Sequence, residues 1–150
     1  VFSQTVEYAL RAMVQLAYAG PAGSSTDELA QKTQVPRAYL SKVLQGLRVA
    51  GFLKSQRGVG GGVCLILQPE QVTILDVVNA VEPIVRIHTC PLGIESHGRN
   101  LCPLHTKMDC TYASIEASLG ATTLADVIAG KSLGLLPLCS MPNHVELVIQ

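Results

Sequence analysis

Apolar residues recur at helical spacing at Val6, Leu10, Met13, Val14 and Ala17, which predicts a first helix with a core-facing stripe, ended by Gly20-Pro21. Ser25-Thr-Asp-Glu28 has the form of a capping box. In that arrangement the Ser25 hydroxyl accepts from the backbone N–H of residue 28 while Glu28 reaches back, opening a short helix to about Lys32. Thr33-Gln-Val35 reads as a turn. Pro36 then suits the first turn of another helix, because the N–H it lacks would be unpaired there. Leu40, Val43, Leu44 and Leu47 mark the buried stripe of that helix, and Arg37, Tyr39, Ser41, Lys42, Gln45 and Arg48 form its outer face.

The period then changes from helical to extended. Phe52 to Gln56 and Val63-Cys-Leu-Ile-Leu67 read as two strands around a glycine-rich tip that carries Arg57, Gly58, Gly60, Gly61 and Gly62. Thr73 with Asp76 marks a further helix start, with Leu75, Val78 and Val81 inward and Pro83 as its stop. Residues 84 to 102 mix Pro, Gly, His, Ser and Asn without a period and read as a loop. A long helix follows Pro103, with Leu104, Met108, Tyr112, Ile115 and Leu119 on one stripe and Gly120 at its end. Thr123-Leu-Ala-Asp126 predicts a short capped helix ending near Gly130, and residues 131 to 150 form a tail whose structure the pattern leaves open. The fold class is therefore mainly α with a small β-hairpin wing: a winged helix-turn-helix followed by a long C-terminal helix. A helix pair followed by a cationic hairpin is the outline that sets one helix in a groove of DNA with a loop beside it.

Composition supports a packed globular chain, since 48% of its 150 residues are hydrophobic and 15% charged. No apolar run approaches the roughly 18 residues of a membrane span, and the first residues lack the basic patch and apolar core of a secretory signal. A cytoplasmic protein without membrane contact is expected. The formal net charge is zero, but it is unevenly spread. Through Gly62 seven Lys or Arg stand against three Asp or Glu, a net of +4, whereas from Val63 onward four stand against eight, a net of −4. A polyanion is attracted to the first part and repelled by the second.

Around the helix that opens at Pro36, Arg37, Tyr39, Ser41 and Lys42 are the candidate base and phosphate contacts. Arg57, Gly58 and Gly60 are the candidate minor-groove contacts, since arginine is favoured there and glycine lets the backbone approach. Nucleotide binding by the same glycines is not expected. They lack the Walker lysine and the last glycine of a dinucleotide fingerprint, and a strand follows where a helix N-terminus would be required. Five cysteines, an odd number, fit thiols or metal ligands better than a disulfide framework. Cys90, Cys102 and Cys110 lie within 21 residues, and three thiolates with one further ligand are a donor set for an iron–sulfur cluster. A thiol or disulfide switch without metal, or three ordinary cysteines, are the other readings. His88, His97 and His105 are possible nitrogen ligands. Cys64 in its apolar strand reads as a small core residue, and Cys139 has no assigned role. Cys102 and His105 lack a third orienting group, so no enzyme is expected.

Glu7-Tyr-Ala-Leu-Arg-Ala-Met13, Asp27-Glu-Leu-Ala30, Pro36-Arg-Ala-Tyr-Leu-Ser-Lys-Val-Leu44, Ala50 to Gly58, Gly61-Gly62 and Leu75 to Glu82 together resemble the Rrf-type family of bacterial transcription regulators, with its IscR, NsrR and CymR groups. The likeness covers roughly residues 1 to 130 and is most specific from Pro36 to Gly62. It implies a homodimeric winged-helix regulator, a repressor by expectation, that binds a near-palindromic double-stranded DNA operator and pairs through the long C-terminal helix. The domains it implies are a DNA-binding domain at 1–82, a sensor loop at 83–102, a dimerisation helix with a short following helix at 103–130, and a tail at 131–150. Many members hold an iron–sulfur cluster on three cysteines before the long helix, which by likeness would be Cys90, Cys102 and Cys110, with two or four irons. Glu7 matches the acidic first-helix position that completes the cluster across the dimer in some relatives. The spacing here, eleven residues and then seven, departs from their closer and more even pattern. A regulator without cluster, answering to a small molecule or protein partner, and a winged-helix protein-interaction module are the alternatives.

Overall fold

The computed structural model describes residues 2–58, 61–94 and 100–130, and the expectations for Gly60, His97, Cys139 and the tail lie outside these. The elements run α1 (Gln4–Ala19), α2 (Thr26–Thr33), α3 (Arg37–Val49), β1 (Leu53–Gln56), β2 (Gly62–Leu65), α4 (Ile74–Val81), α5 (Pro103–Gly120) and α6 (Leu124–Ala129), with single 3-10 turns at Gly20–Ala22 and Pro69–Gln71.

Helix α1 is the hub. Ser3 caps it by accepting from the Val6 N–H at 3.3 Å, and Gly20 ends it with φ +64. Its buried side chains are Val6, Ala9, Ala12, Met13, Val14, Leu16 and Ala17, wider than a single stripe. The reason is that α2, α3, α4, α6 and β2 all pack on it. The small alanines let those neighbours approach from several sides.

Helix α2 starts as predicted, with Ser25 accepting from the Glu28 N–H at 3.2 Å. In the second half of the expected capping box the Ser25 backbone N–H is only a minor partner of the Glu28 carboxylate. The Glu28 carboxylate accepts mainly from Lys32 Nζ at 2.6 Å, a cation one turn on, and from the Ser24 hydroxyl at 3.0 Å. The same bonds, that to Lys32 first, hold the Glu28 carboxyl below its ordinary value. Gln34 makes the turn in the left-handed region (φ +57), and Pro36 stands as the N-cap of α3, one residue before the first helical position. Leu40, Val43, Leu44 and Leu47 are buried as their spacing requires.

The hairpin pairs Leu53 with Leu65 and Gln56 with Gly62. On its other edge β2 bonds Ser24, with Ser24 N to Val63 O and Val63 N to Ser24 O both at 2.9 Å. A Cβ on Gly62 would lie 2.2 Å from the Ser24 carbonyl oxygen, so glycine is required for this approach. Helices α4 and α6 begin with full capping boxes, Thr73 with Asp76 and Thr123 with Asp126, and the two starts join through Ile74 N to Thr122 O and Leu124 N to Val72 O. Leu124 is thereby carried into the core beside α1. Helix α5 differs from all the others of eight residues or more. It is 18 residues long, about 27 Å at helical rise, and none of its side chains is fully buried, Tyr112, Ile115 and Leu119 being half-buried. Leu104 is 65% exposed and Met108 40%.

Candidate nucleic-acid interface

The outer surface of α3 divides into two faces. Arg37, Ser41, Gln45 and Arg48 recur at three- and four-residue spacing and form a polar stripe of exposed side chains. Arg37 is held to Asp27 of α2 by a 2.8 Å ion pair, and the Ser41 hydroxyl donates to the Arg37 carbonyl at 3.0 Å. That pair is exposed on both sides, so it orients the guanidinium with little stabilisation. Tyr39 and Lys42 sit on the second face, beside α1. The Tyr39 ring lies 6.3 Å from that of Tyr8, tilted by 59°, and Tyr39 and Lys42 help line a cavity of about 310 Å³ with Thr5, Val43, Gly46 and Val81. The four α3 residues read from the sequence are therefore exposed together but do not share one stripe.

At the wing, Arg57 is exposed directly after β1, and Gly58 adopts φ +116 with open space where a side chain would be. Gly61 closes back on the hairpin, its N–H donating to the Gly58 carbonyl at 2.9 Å. A Cβ there would meet the Gln56 oxygen at 2.7 Å. So Gly61 and Gly62 serve the internal geometry of the wing, while Gly58 leaves its outer side clear. One cation beside these residues is not singled out by the sequence motifs. Lys54 shares a groove of about 400 Å³ with Gln45, Arg48 and Ser55, where β1 meets the end of α3. The signal was present in the alternation of β1, which points Lys54 away from the buried Leu53.

The cysteines are placed as thiols; among the described residues, Cys64, Cys90, Cys102 and Cys110 form no disulfide. Cys64 is core, at 1% exposure. Cys90 is buried in the segment after α4, and Cys102 is the N-cap of α5 with its sulfur 3.4 Å from His105 Nδ1. Cys110 is exposed, eight positions further on, about 12 Å along the helix axis. Glu7 receives the Arg11 guanidinium, with Nε at 3.0 Å. Among the described residues no three His, Cys, Asp or Glu side chains converge on a common metal position. The proposed donors Cys90, Cys102, Cys110 and Glu7 are thus not gathered within one protomer.

Behind this segment lies an ion-pair hub. Arg86 forks onto Asp109, Nε to Oδ1 at 2.7 Å and Nη2 to Oδ2 at 2.6 Å, and reaches Glu116 Oε2 at 3.1 Å. Those bonds, with a further one from the Ile87 N–H, hold the Asp109 carboxyl at about 2.

A helix pair packed on a central helix, an exposed polar helix face and a β-hairpin with an arginine at its tip define a winged helix-turn-helix DNA-binding protein. The chain belongs to the Rrf2 family: the sequence profile of that family, described as iron-dependent transcriptional regulators, matches residues 2–130. It is 32% identical to a protein of Mycobacterium tuberculosis H37Rv assigned as an HTH-type transcriptional regulator, over 95% of this chain and 84% of that one. Its fold is similar to that of CymR of Bacillus subtilis, the global cysteine regulator of that organism, with TM-score 0.72 and 26% identity over 86% of this chain and 96% of CymR. It is also similar to the oxidized form of Staphylococcus aureus CymR, with TM-score 0.67 and 25% identity over 85% and 94%. The family and these relatives are transcriptional regulators rather than enzymes, and no described helix is long and apolar enough to cross a membrane.

Proposed function

We propose that this DNA-binding regulator acts as a homodimeric repressor, paired through α5, whose operator affinity follows the oxidation state of the thiols between His88 and Cys110. The observation that carries the reading is the division of the molecule: a cationic α3 and wing on a finished core, and an 18-residue α5 with no buried side chain and Leu104 and Met108 in the open. Two copies meeting along α5 cover that stripe and present two α3 helices to half-sites about one DNA turn apart. Arg37, Ser41, Lys42 and Tyr39 then meet the major-groove side, and Arg57, Gly58 and Gly60 the adjacent groove. The half-buried Cys102, hydrogen-bonded to His105 at the start of α5, and the likeness to an oxidized CymR support a thiol input that repositions α5.

The family's description as iron-dependent favours a second reading, a cluster on Cys90, Cys102 and Cys110 with Glu7 from the other copy. The described residues do not assemble that donor set, and no step is derived through it. Anaerobic purification followed by a visible absorption spectrum separates the two: brown protein supports the cluster, and colourless protein with reactive thiols the switch. Operator binding is tested by titrating duplexes drawn from the source genome across salt concentrations. Arg57→Ala is expected to weaken binding and to lower the salt slope by about one. Unchanged affinity and slope remove Arg57 from the interface.

A further inference from the structure

Arg86 stands apart from the other described ion pairs. The pairs of Arg11, Lys32 and Arg37 lie on side chains between 34% and 71% exposed, whereas Arg86, Asp109 and Glu116 are 31%, 18% and 27% exposed. Its contact with Asp109 is bidentate, the geometry that a guanidinium makes and an ammonium does not. Asp109 and Glu116 are two turns apart, so one guanidinium ties together side chains whose backbone positions lie about 10 Å apart along α5. The Ile87 N–H donates to the same Asp109 oxygen at 2.9 Å, which fixes the backbone as well as the side chain.

The position of this hub matters more than its strength. On its N-terminal side Ile84 and Val85 form, with Phe2, Tyr112 and Ile115, a cavity of about 280 Å³ between α1 and α5. On its C-terminal side the chain runs at once to His88 and the buried Cys90. Because no side chain of α5 is fully buried, and Tyr112 and Ile115 line a cavity rather than a filled core, apolar packing holds its angle to the winged helix only loosely. A forked ion pair with a backbone bond is directional and supplies what packing does not. We propose that Arg86 is a positioning residue: it sets the angle of α5 against the winged helix, and so the separation of the two α3 helices on DNA. This rests on the dimer reading above. Movement of the segment from Ile87 to Cys90 reaches α5 through Asp109, which gives a change of state at the cysteines a path to the reading heads.

The test uses the full chain as wild type, Arg86→Ala, Arg86→Lys and Glu116→Gln. The probes are duplexes selected by the wild type from random sequence, the same duplexes with the central spacer changed by one or two base pairs, and a single half-site. Far-UV circular dichroism and sedimentation equilibrium accompany each protein. Arg86→Ala is expected to remain a folded dimer and to bind the single half-site as the wild type does. Its penalty for a one-base-pair change of spacer is expected to fall from about tenfold to about twofold. Arg86→Lys, which keeps the charge but loses the fork, is expected between the two, and Glu116→Gln near the wild type. Wild-type spacing discrimination in Arg86→Ala overturns the proposal, as does a loss of single-half-site binding, which would place the effect in α3. If Arg86→Ala does not fold, unchanged discrimination in a folded Arg86→Lys overturns it. A wild type that is monomeric or indifferent to spacing overturns the dimer reading and this proposal with it. Discrimination in the wild type but not in Arg86→Ala supports both.

Discussion

The core around α1 and the long helix α5 both carry apolar stripes, yet they are held in different ways. Met13, Leu16, Leu29, Leu40 and Leu47 are fully buried and interlock from three helices, whereas on α5 Leu104 and Met108 are exposed and Tyr112, Ile115 and Leu119 only half-buried. A core residue is stabilised where it lies by neighbours of its own chain. The exposed end of the α5 stripe, Leu104 and Met108, gains that stabilisation only when something covers it, and the helix is oriented meanwhile in part by polar bonds to Arg86 and Ile87. Apolar periodicity therefore reports that a face will be buried and says nothing about what buries it.

Mutations that strike one region and spare the other break or sharpen this contrast. Leu47→Ala empties a fully enclosed site and is expected to cost about 2–5 kcal/mol in denaturant unfolding; a smaller loss would mean that the core collapses to fill it. Met108→Asp is expected to leave unfolding of the isolated subunit within about 0.5 kcal/mol while weakening self-association about a hundredfold in sedimentation equilibrium. A core-sized loss of subunit stability would show instead that α5 is packed by its own chain. Gly62→Ala drives a Cβ into the Ser24 carbonyl. It is expected to cost about 1–3 kcal/mol and to speed amide exchange at Ser24 and Val63, with α5 untouched; exchange at the wild-type rate would mean the wing root can shift.

The smallest effect concerns pH. Asp109 has its carboxyl depressed from 3.8 to about 2, so the stability it lends is complete above 3.8 and is lost as pH falls through about 2. Asp109→Asn should lack that contribution and so flatten the acid limb of a pH–stability profile over this window. An unchanged limb would mean that the fork on Arg86 contributes nothing to folding.

Much of this was legible in the chain before any coordinates. Ser25, Thr73 and Thr123 were readable as caps because a cap bonds a backbone N–H three residues away. The stripe of Leu40, Val43, Leu44 and Leu47 was readable because helical periodicity is a short-range property. The main partners of Glu28 were less legible because three groups share one carboxylate, and which of them dominates depends on where Ser24 and Lys32 are held. The split of the α3 surface was hidden for a related reason. Whether Tyr39 lies with Arg37 or with Tyr8 depends on the approach of α1, more than thirty positions away.

By itself the sequence determined the order and type of the elements, the cationic character of the first part and the family, all of which follow from residues within a few positions of one another. Only the tertiary structure decided that Ser24 would pair with Val63, that Gly62 would lie against Ser24, that the thiols stand apart within one protomer, and that Arg86 would reach Asp109 and Glu116. Those contacts join residues more than twenty positions apart, or decide which of several such meetings occur. Their choice is made by the packing of the whole chain, where many weak preferences are satisfied together, and no local pattern encodes it.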